Sequence, residues 1–370
     1  MFLIDRRYLR FFDWLSFVLT CLLSSIGLIL IYSATYKTGQ PYSLFFKKQA
    51  LGILSGLGIY LIFCFIDYRV LCRWGYFLYW LVMGLLLFTL IKGSVGMGAQ
   101  RWISLFFIKF QPSELAKLFL PAFITYYFYT QKNFPKVEFR EFIPILMVLS
   151  ISFLLILKQP DLGTALIVLI SGFLMIWFVG MPQRFFIYLF FAVVLTAPIT
   201  WHVLKPYQQK RIAVFLGHGE MYKERYQIEQ SKIAIGSGGL LGKGFLEGTQ
   251  NKFMFLPESR TDFIFSVIGE EFGFVGALSV LLLFFALFCR TCLVIMSIQN
   301  MSAQLLAIGL LLHIVLSTII NFGMVIGLLP IVGIPLPFIS YGITNLWINF
   351  ASLGWLNGIA MRRFDMGLGV

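Results

Sequence analysis

At 370 residues the chain is 59% hydrophobic and 12% charged, with a mean hydropathy of +0.87, against roughly a quarter charged residues in soluble domains; this excludes a water-soluble fold. No stretch of ~100 residues is polar enough to stand as a separate soluble domain, so residues 1–370 read as a single integral membrane domain. The net charge of +13 does not point to nucleic acid, because its Lys and Arg are scattered through short loops and form no stripe interleaved with aromatics; topology and anionic lipid account for it.

A helix that crosses the ~30 Å hydrocarbon core needs about 20 mainly apolar residues. Ten runs meet or approach that length: Trp14 to Tyr36, Gln49 to Ile66, Trp74 to Ile91, Pro112 to Gln131, Phe142 to Leu157, Leu162 to Gly180, Phe185 to Trp201, Phe263 to Cys289, Ala303 to Leu329 and Pro337 to Met361. The first has no small-residue cleavage site and reads as a retained helix, not a removed signal peptide. The expected fold class is an all-α polytopic membrane protein of about ten transmembrane helices. An even number puts both termini on one side. Arg6, Arg7, Arg10, Arg69, Arg73, Lys132, Lys136, Arg140, Arg184, Arg290, Arg362 and Arg363 weight that side, which makes it cytoplasmic. Cys21, Cys64, Cys72, Cys289 and Cys292 lie in or beside apolar runs and read as packing residues.

One long hydrophilic loop, residues 202–262, joins the seventh and eighth spans on the extracytoplasmic side, since long loops translocate largely regardless of charge. Within it Arg211 to Leu216 reads as a short amphipathic piece, Tyr226 to Ile235 as a helix and Gly236 to Gly248 as a glycine-rich turn region. These elements are expected to lie on the outer membrane surface, apolar faces down. Later, GLLPIVGIPLPFISYG breaks the uncharged last third at Pro330, Pro335 and Pro337, which cannot continue a helix. Irregular backbone persists in a bilayer only where protein or a water-filled cavity covers it. A tight turn and a cavity wall both fit.

The residues that carry chemistry sit at the outer ends of spans. Asp262, in LPESRTDFIFSVIGEEFG, stands between a polar loop and an apolar helix, a boundary where charge is costly and usually kept for a function. Glu270 and Glu271, about two turns later on the same expected helix, fall on other faces and share no substrate with it. In GAQRWISLFFIKFQPSELAKL, Pro112 and Glu114 suit a helix start. Lys117 projects from the face that carries Ser113 and Glu114. A self-satisfied Glu114–Lys117 pair is one reading; a hydrated cavity with Lys117 and Arg101 facing a diphosphate is the other. Trp102 suits either a sugar or lipid face or the interfacial belt. In KQPDLGTA, Asp161 is either a site carboxylate or the N-cap of the sixth span. His202, His218 and His313 are too dispersed for a metal or nucleophile site, and no P-loop or HExxH occurs.

The stretches GAQRWI, QPSELAKL, QPDLGTA, SGGLLGKG, LPESRTDFIFSVIGEEFG and GLLPIVGIPLPFISYG occur in this order, and with them the chain resembles the SEDS (shape, elongation, division and sporulation) family, its RodA-like members in particular. The resemblance implies a peptidoglycan glycosyltransferase that polymerises lipid II for cell elongation, on the outer face of the bacterial cytoplasmic membrane, beside a class B penicillin-binding protein. It implies Asp262 as the essential aspartate, and the diphosphate leaving group makes a general base, or a ligand to a divalent cation such as Mg or Mn, the expected role of that carboxylate. It implies Lys117, Glu114, Arg101, Trp102 and Asp161 as substrate-binding residues, to which the shared helix face adds Ser113. Two departures stand out: Arg260 replaces the usual His before Thr261–Asp262, and Ile343, Thr344 and Asn345 follow SYG. Arg260 is expected to lower the Asp262 pKa, and no site is assigned at Ile343 to Asn345. A lipid II translocator and a non-catalytic scaffold for a penicillin-binding protein remain the competing readings.

Overall fold

The structure is a computed structural model that describes residues 10–37, 42–96, 99–105, 108–131, 138–203, 209, 213–214, 223–253 and 255–364. A helix overlaps each of the expected runs, although the ninth stops at Val325 and the tenth starts only at Ile343: α1 Trp14–Thr35, α2 Leu44–Phe65, α3 Tyr68–Lys92, α4 Pro112–Gln131, α5 Phe139–Lys158, α6 Leu162–Val179, α7 Gln183–Val203, α10 Ile264–Met296, α11 Met301–Val325 and α12 Ile343–Met361. In the long loop lie α8 Lys223–Ser237 and the short α9 Thr249–Lys252. Among the described residues seven helices are long and apolar enough to cross a membrane, which makes this a multi-pass membrane protein. Several begin where a polar side chain caps the helix: Ser43 accepts from Phe46 N–H, Asp67 from Arg69 N–H and Asn300 from Ser302 N–H.

The core forms two large apolar clusters and a small one of Ile167, Val332 and Ile334. One large cluster gathers around α3 to α6 and α11 and includes the fully buried Trp355 of α12; the other joins α1, α2, α10 and α12. Small residues bring α2 and α12 together, since a Cβ on Gly354 would lie 2.3 Å from the Tyr60 carbonyl oxygen. At the opposite end from the candidate site, Asp13 binds α10 through Arg290 Nε at 2.8 Å, and its N–H donates to Asn357 of α12 at 2.9 Å.

Two features depart from the sequence expectation. The first is a three-stranded antiparallel sheet ahead of α4, with β1 Ser94–Gly96, β2 Ala99–Leu105 and β3 Ile108–Phe110 in the order β1-β2-β3. Trp102 pairs with Ser94 and Ile103 with Phe110, so β2 holds Arg101 and Trp102 beside the start of α4.

The second concerns α10, which is not one span. Gly273, at φ 64° and ψ −159°, breaks it into a short arm ending at Phe272 and a long arm beginning at Phe274. Phe265 and Phe284 would stand ~28 Å apart on a straight helix, yet their rings lie 4.7 and 5.9 Å from that of Phe322. The short arm therefore folds back beside the long one. Asp262 precedes this arm, whose first residue is Ile264, so the helical rotation that related it to Glu270 and Glu271 does not apply. One face of α8, expected on the outer membrane surface, is covered by the bundle. It packs on protein: Ser231 bonds Ser266 of the short arm at 2.8 Å and the Val325 carbonyl at 2.7 Å. Residues 211–212 and 215–216 of the expected amphipathic piece fall outside the described residues.

Candidate active site

The N-terminal ends of α4, α6, α10 and α12 meet around the proline-rich segment of residues 328–342. Each junction is a named contact. Asn345 at the start of α12 donates to Glu114 Oε2 of α4 at 2.9 Å. Gln111, just before α4, donates to Asp161 Oδ2, just before α6, at 2.6 Å. A Cβ on Gly163 would lie 2.8 Å from the Val332 carbonyl oxygen and 2.6 Å from the Ile334 side chain, so the first turn of α6 abuts the segment directly. Ser340 Oγ donates to the Thr261 carbonyl at 2.5 Å and Tyr341 N–H to the Arg260 carbonyl at 2.9 Å, which straps the residues before α10 to the same segment. Four helix dipoles thus point their positive ends at one region, a field that favours an anionic ligand.

Asp262 lies half-buried on this wall. A Cβ built on Gly333 would stand 3.5 Å from its Oδ2, and Gly333 itself holds φ +73°, a left-handed conformation natural to glycine. Asn321 of α11 fixes the backbone on both sides, donating to the Asp262 carbonyl at 2.9 Å and to the Ile334 carbonyl at 2.7 Å. Asn321 is about one helical turn inside the end of α11 at Val325. The carboxylate is therefore recessed below the helix ends instead of standing at the outer edge. Of the two readings left open for the proline-rich segment, the packing favours a wall: Ile331, Val332, Ile334, Leu336, Phe338 and Ile339 are all buried.

Asp161 is both a cap and a cluster centre. Its Oδ1 accepts from Thr164 N–H at 3.2 Å, while Oδ2 takes Gln111 Nε2 at 2.6 Å, Ser113 Oγ at 3.3 Å and stands 3.9 Å from Arg101 Nη1. Arg101 is 23% exposed, its guanidinium lies 5.9 Å from the Trp102 ring, and its Nε has no hydrogen-bond partner among the described residues.

Lys117 behaves differently. Its ammonium sits 2.8 Å from Glu114 Oε2 and its side chain is only 2% exposed, so the self-satisfied pair is what the structure contains. His313 is buried, with Nε2 2.7 Å from Ser352 Oγ. Arg260, expected beside Asp262, lays its guanidinium 4.0 Å over the Phe45 ring.

Several participants were not assigned from sequence. Asn345 was read only as a family departure, yet it bonds Glu114 and accepts from Asn349 Nδ2 at 2.9 Å. Gln111, Asn321 and Ser340 also tie the site together. A buried amide near a carboxylate is legible in a sequence only once the partner helix is known. Among the described residues no three His, Cys, Asp or Glu side chains gather into a metal cage.

A family model described as cell cycle protein, FtsW/RodA/SpoVE, matches residues 13–364. The chain is 35% identical over 368 residues to the peptidoglycan glycosyltransferase MrdB of Helicobacter pylori, covering 98% of this chain and 94% of that one. To MrdB of Escherichia coli K12 it is 37% identical over 343 residues, covering 90% and 91%. Among solved structures it resembles a chain of a peptidoglycan synthase complex that coordinates polymerization and crosslinking, with a TM-score of 0.82 at 27% identity, over 96% of this chain and 99% of that chain. It also resembles the rod shape determining protein RodA of Thermus thermophilus, with a TM-score of 0.72 at 26% identity, over 95% and 98%. With nearly its whole length matched, the chain belongs to the FtsW/RodA/SpoVE family of cell cycle proteins, the SEDS family that its motifs resemble.

Proposed function

We infer that this chain is a peptidoglycan glycosyltransferase that polymerises lipid II for cell elongation, with Asp262 as its general base. The observation that carries the assignment of the base is the placement of that carboxylate: recessed, beside the bare Cα of Gly333, on a wall shared with the Arg101–Asp161 cluster. Asp262 takes the proton of an acceptor sugar hydroxyl. The oxygen then bonds the donor's anomeric carbon with inversion, and the bond from that carbon to the lipid diphosphate breaks. The departing negative charge falls where four helix N-termini converge. Arg101 is the first diphosphate contact, because its guanidinium is the more open cation; Lys117 follows if a phosphate oxygen replaces Glu114 on its ammonium. Trp102 offers a face to the sugar or lipid, and Gln111 and Ser113 hold Asp161 as the counter-charge to Arg101.

A divalent ion would be held by Asp262 together with substrate diphosphate oxygens and water, since among the described residues no three His, Cys, Asp or Glu side chains gather to cage it. It would supply charge neutralisation at the leaving group. Ten helices cross the bacterial cytoplasmic membrane with both termini inside, which places the four N-termini on the extracytoplasmic face. The likeness to a chain of a peptidoglycan synthase complex supports a class B penicillin-binding protein as the partner. The test is Asp262→Asn in proteoliposomes supplied with lipid II. Binding of lipid II should persist and glycan polymer should vanish; polymer formed at the parent rate would remove the base assignment.

A further inference from the structure

The glycine-rich turn of residues 238–244 has no part in the chemistry above, yet it is fitted into the corner of α10 from both sides. The carbonyls of Gly239 and Leu240 accept from the N–H groups of Phe274 and Val275 at 2.9 and 3.1 Å. In return Lys243 and Gly244 donate their N–H groups to the carbonyls of Glu270 and Glu271 at 3.0 and 3.1 Å. These are the groups that helix ends leave without intrahelical partners, so corner and turn satisfy one another. The approach is too close for side chains: a Cβ on Gly242 would lie 2.1 Å from the Glu271 carbonyl oxygen. Lys243, the one charged residue between Ser237 and Phe245, turns its ammonium onto Glu270 Oε1 at 2.7 Å.

What remains on the outside is Leu240 and Leu241, 72% and 81% exposed. Two adjacent bare leucines are costly in water, while backbone with its polar groups satisfied is tolerated at membrane depth. The exposed strip continues from them into Phe274, Val275 and Leu278, on the membrane-facing side of the long arm. On the other flank Phe245 stacks on Tyr32, centroids 6.3 Å apart, and Tyr32 packs with Tyr36, Tyr42 and Phe46 near the end of α1. Aromatic clusters of this kind mark the membrane–water interface. Ser33, in the last turn of α1, hydrogen-bonds Glu271 and puts the α10 corner at that same level.

We propose that residues 238–244 are an interfacial lipid anchor: Leu240 and Leu241 insert among phospholipid acyl chains just beneath the outer headgroups and hold the short arm of α10, which follows Asp262, at a fixed depth. The proposal rests on the membrane placement given above and not on the reaction chemistry.

The experiment places bimane on Leu241→Cys in the full-length protein with its five native cysteines replaced by alanine, reconstituted in phosphatidylcholine–phosphatidylglycerol vesicles. Nitroxides near the top of the acyl chain should quench the label, its emission should be blue-shifted, and aqueous iodide should have little effect. Strong iodide quenching with no lipid quenching would overturn the anchor. Insensitivity to both quenchers would mean that protein covers the leucines, and would overturn it too. A second label at Phe364→Cys, read with iodide outside sealed vesicles of known protein orientation, tests the topology separately. If that label is reached from the face assigned to the loop, the membrane placement fails before the anchor is judged. A protein with both leucines changed to Ser should keep its fold in detergent and bind vesicles in the same orientation, with the short arm more protease-sensitive in lipid; unchanged sensitivity would count against the anchor.

Discussion

Glu114 and Lys117 compensate each other inside the bundle, and Asn345 adds a second donor to the same carboxylate oxygen. Removing one charge strands the other: Glu114→Gln or Lys117→Met alone should cost about 3–5 kcal/mol, read as a lowered thermal midpoint in detergent. Changing both together should restore most of that loss. If the pair also serves the diphosphate, the double variant folds but makes little glycan from lipid II; a double variant that polymerises normally would reduce the pair to a structural role. Gly333 is a second single-residue test, because an added Cβ meets Asp262 Oδ2 at an ordinary contact distance of 3.5 Å but requires φ +73°. Gly333→Ala should cost only roughly 1–2 kcal/mol of backbone strain. It should lower turnover by more than that small loss of folded protein explains, as seen when rate is normalised to the folded fraction.

At the scale of elements, the hydropathy runs anticipated where the long helices lie but not the direction the chain takes within one of them. Phe263 to Cys289 is apolar apart from Glu270, Glu271 and two serines, and Gly273 looks like any glycine in a membrane helix. Its left-handed φ is set by the turn packed against it, which no local pattern reveals. The sheet escaped for a related reason: Ser94–Gly96 and Ile108–Phe110 are short strands whose pairing is with β2, not with an apolar periodicity of their own. Asp161 shows the opposite case, since a carboxylate followed by Gly163 and Thr164 is a cap signal and a cap is what it forms. The corner makes a specific prediction. Gly273→Ala puts a Cβ 2.4 Å from Gly242 N and 2.6 Å from the Leu240 carbonyl oxygen, so it should expel the 238–244 turn and expose it to limited proteolysis. Gly236→Ala, in α8 with nothing within 4 Å of its Cβ, should leave the digestion pattern unchanged and stabilise the helix by roughly 0.5–1 kcal/mol. Equal proteolysis of the two variants would mean that the turn does not depend on the break.

For the molecule as a whole, the distribution of buried charge separates a polymerase from a translocator. Lys117, Glu114, Asp161 and Asp262 gather at one end of the bundle, and Asp13, Arg290 and Arg362 at the other. The buried polar contacts between them, such as Tyr79 with Ser152 and Ser317 with the His313 carbonyl, belong to side chains with no carboxylate, ammonium or guanidinium. A carrier that moves a diphosphate across the bilayer needs cationic partners along the way, and beyond Lys117, whose charge reaches His313 midway along α11, the described central residues of these helices supply none. A polymerase needs charge compensation only where the bond is made. Vesicles with labelled lipid II confined to the leaflet that faces the four helix N-termini should therefore yield glycan without any label reaching the opposite leaflet, as read by reduction with membrane-impermeant dithionite. Label that crosses in step with protein content, and that still crosses in Asp262→Asn vesicles making no polymer, would instead make this a transport protein, with the aspartate serving a separate step.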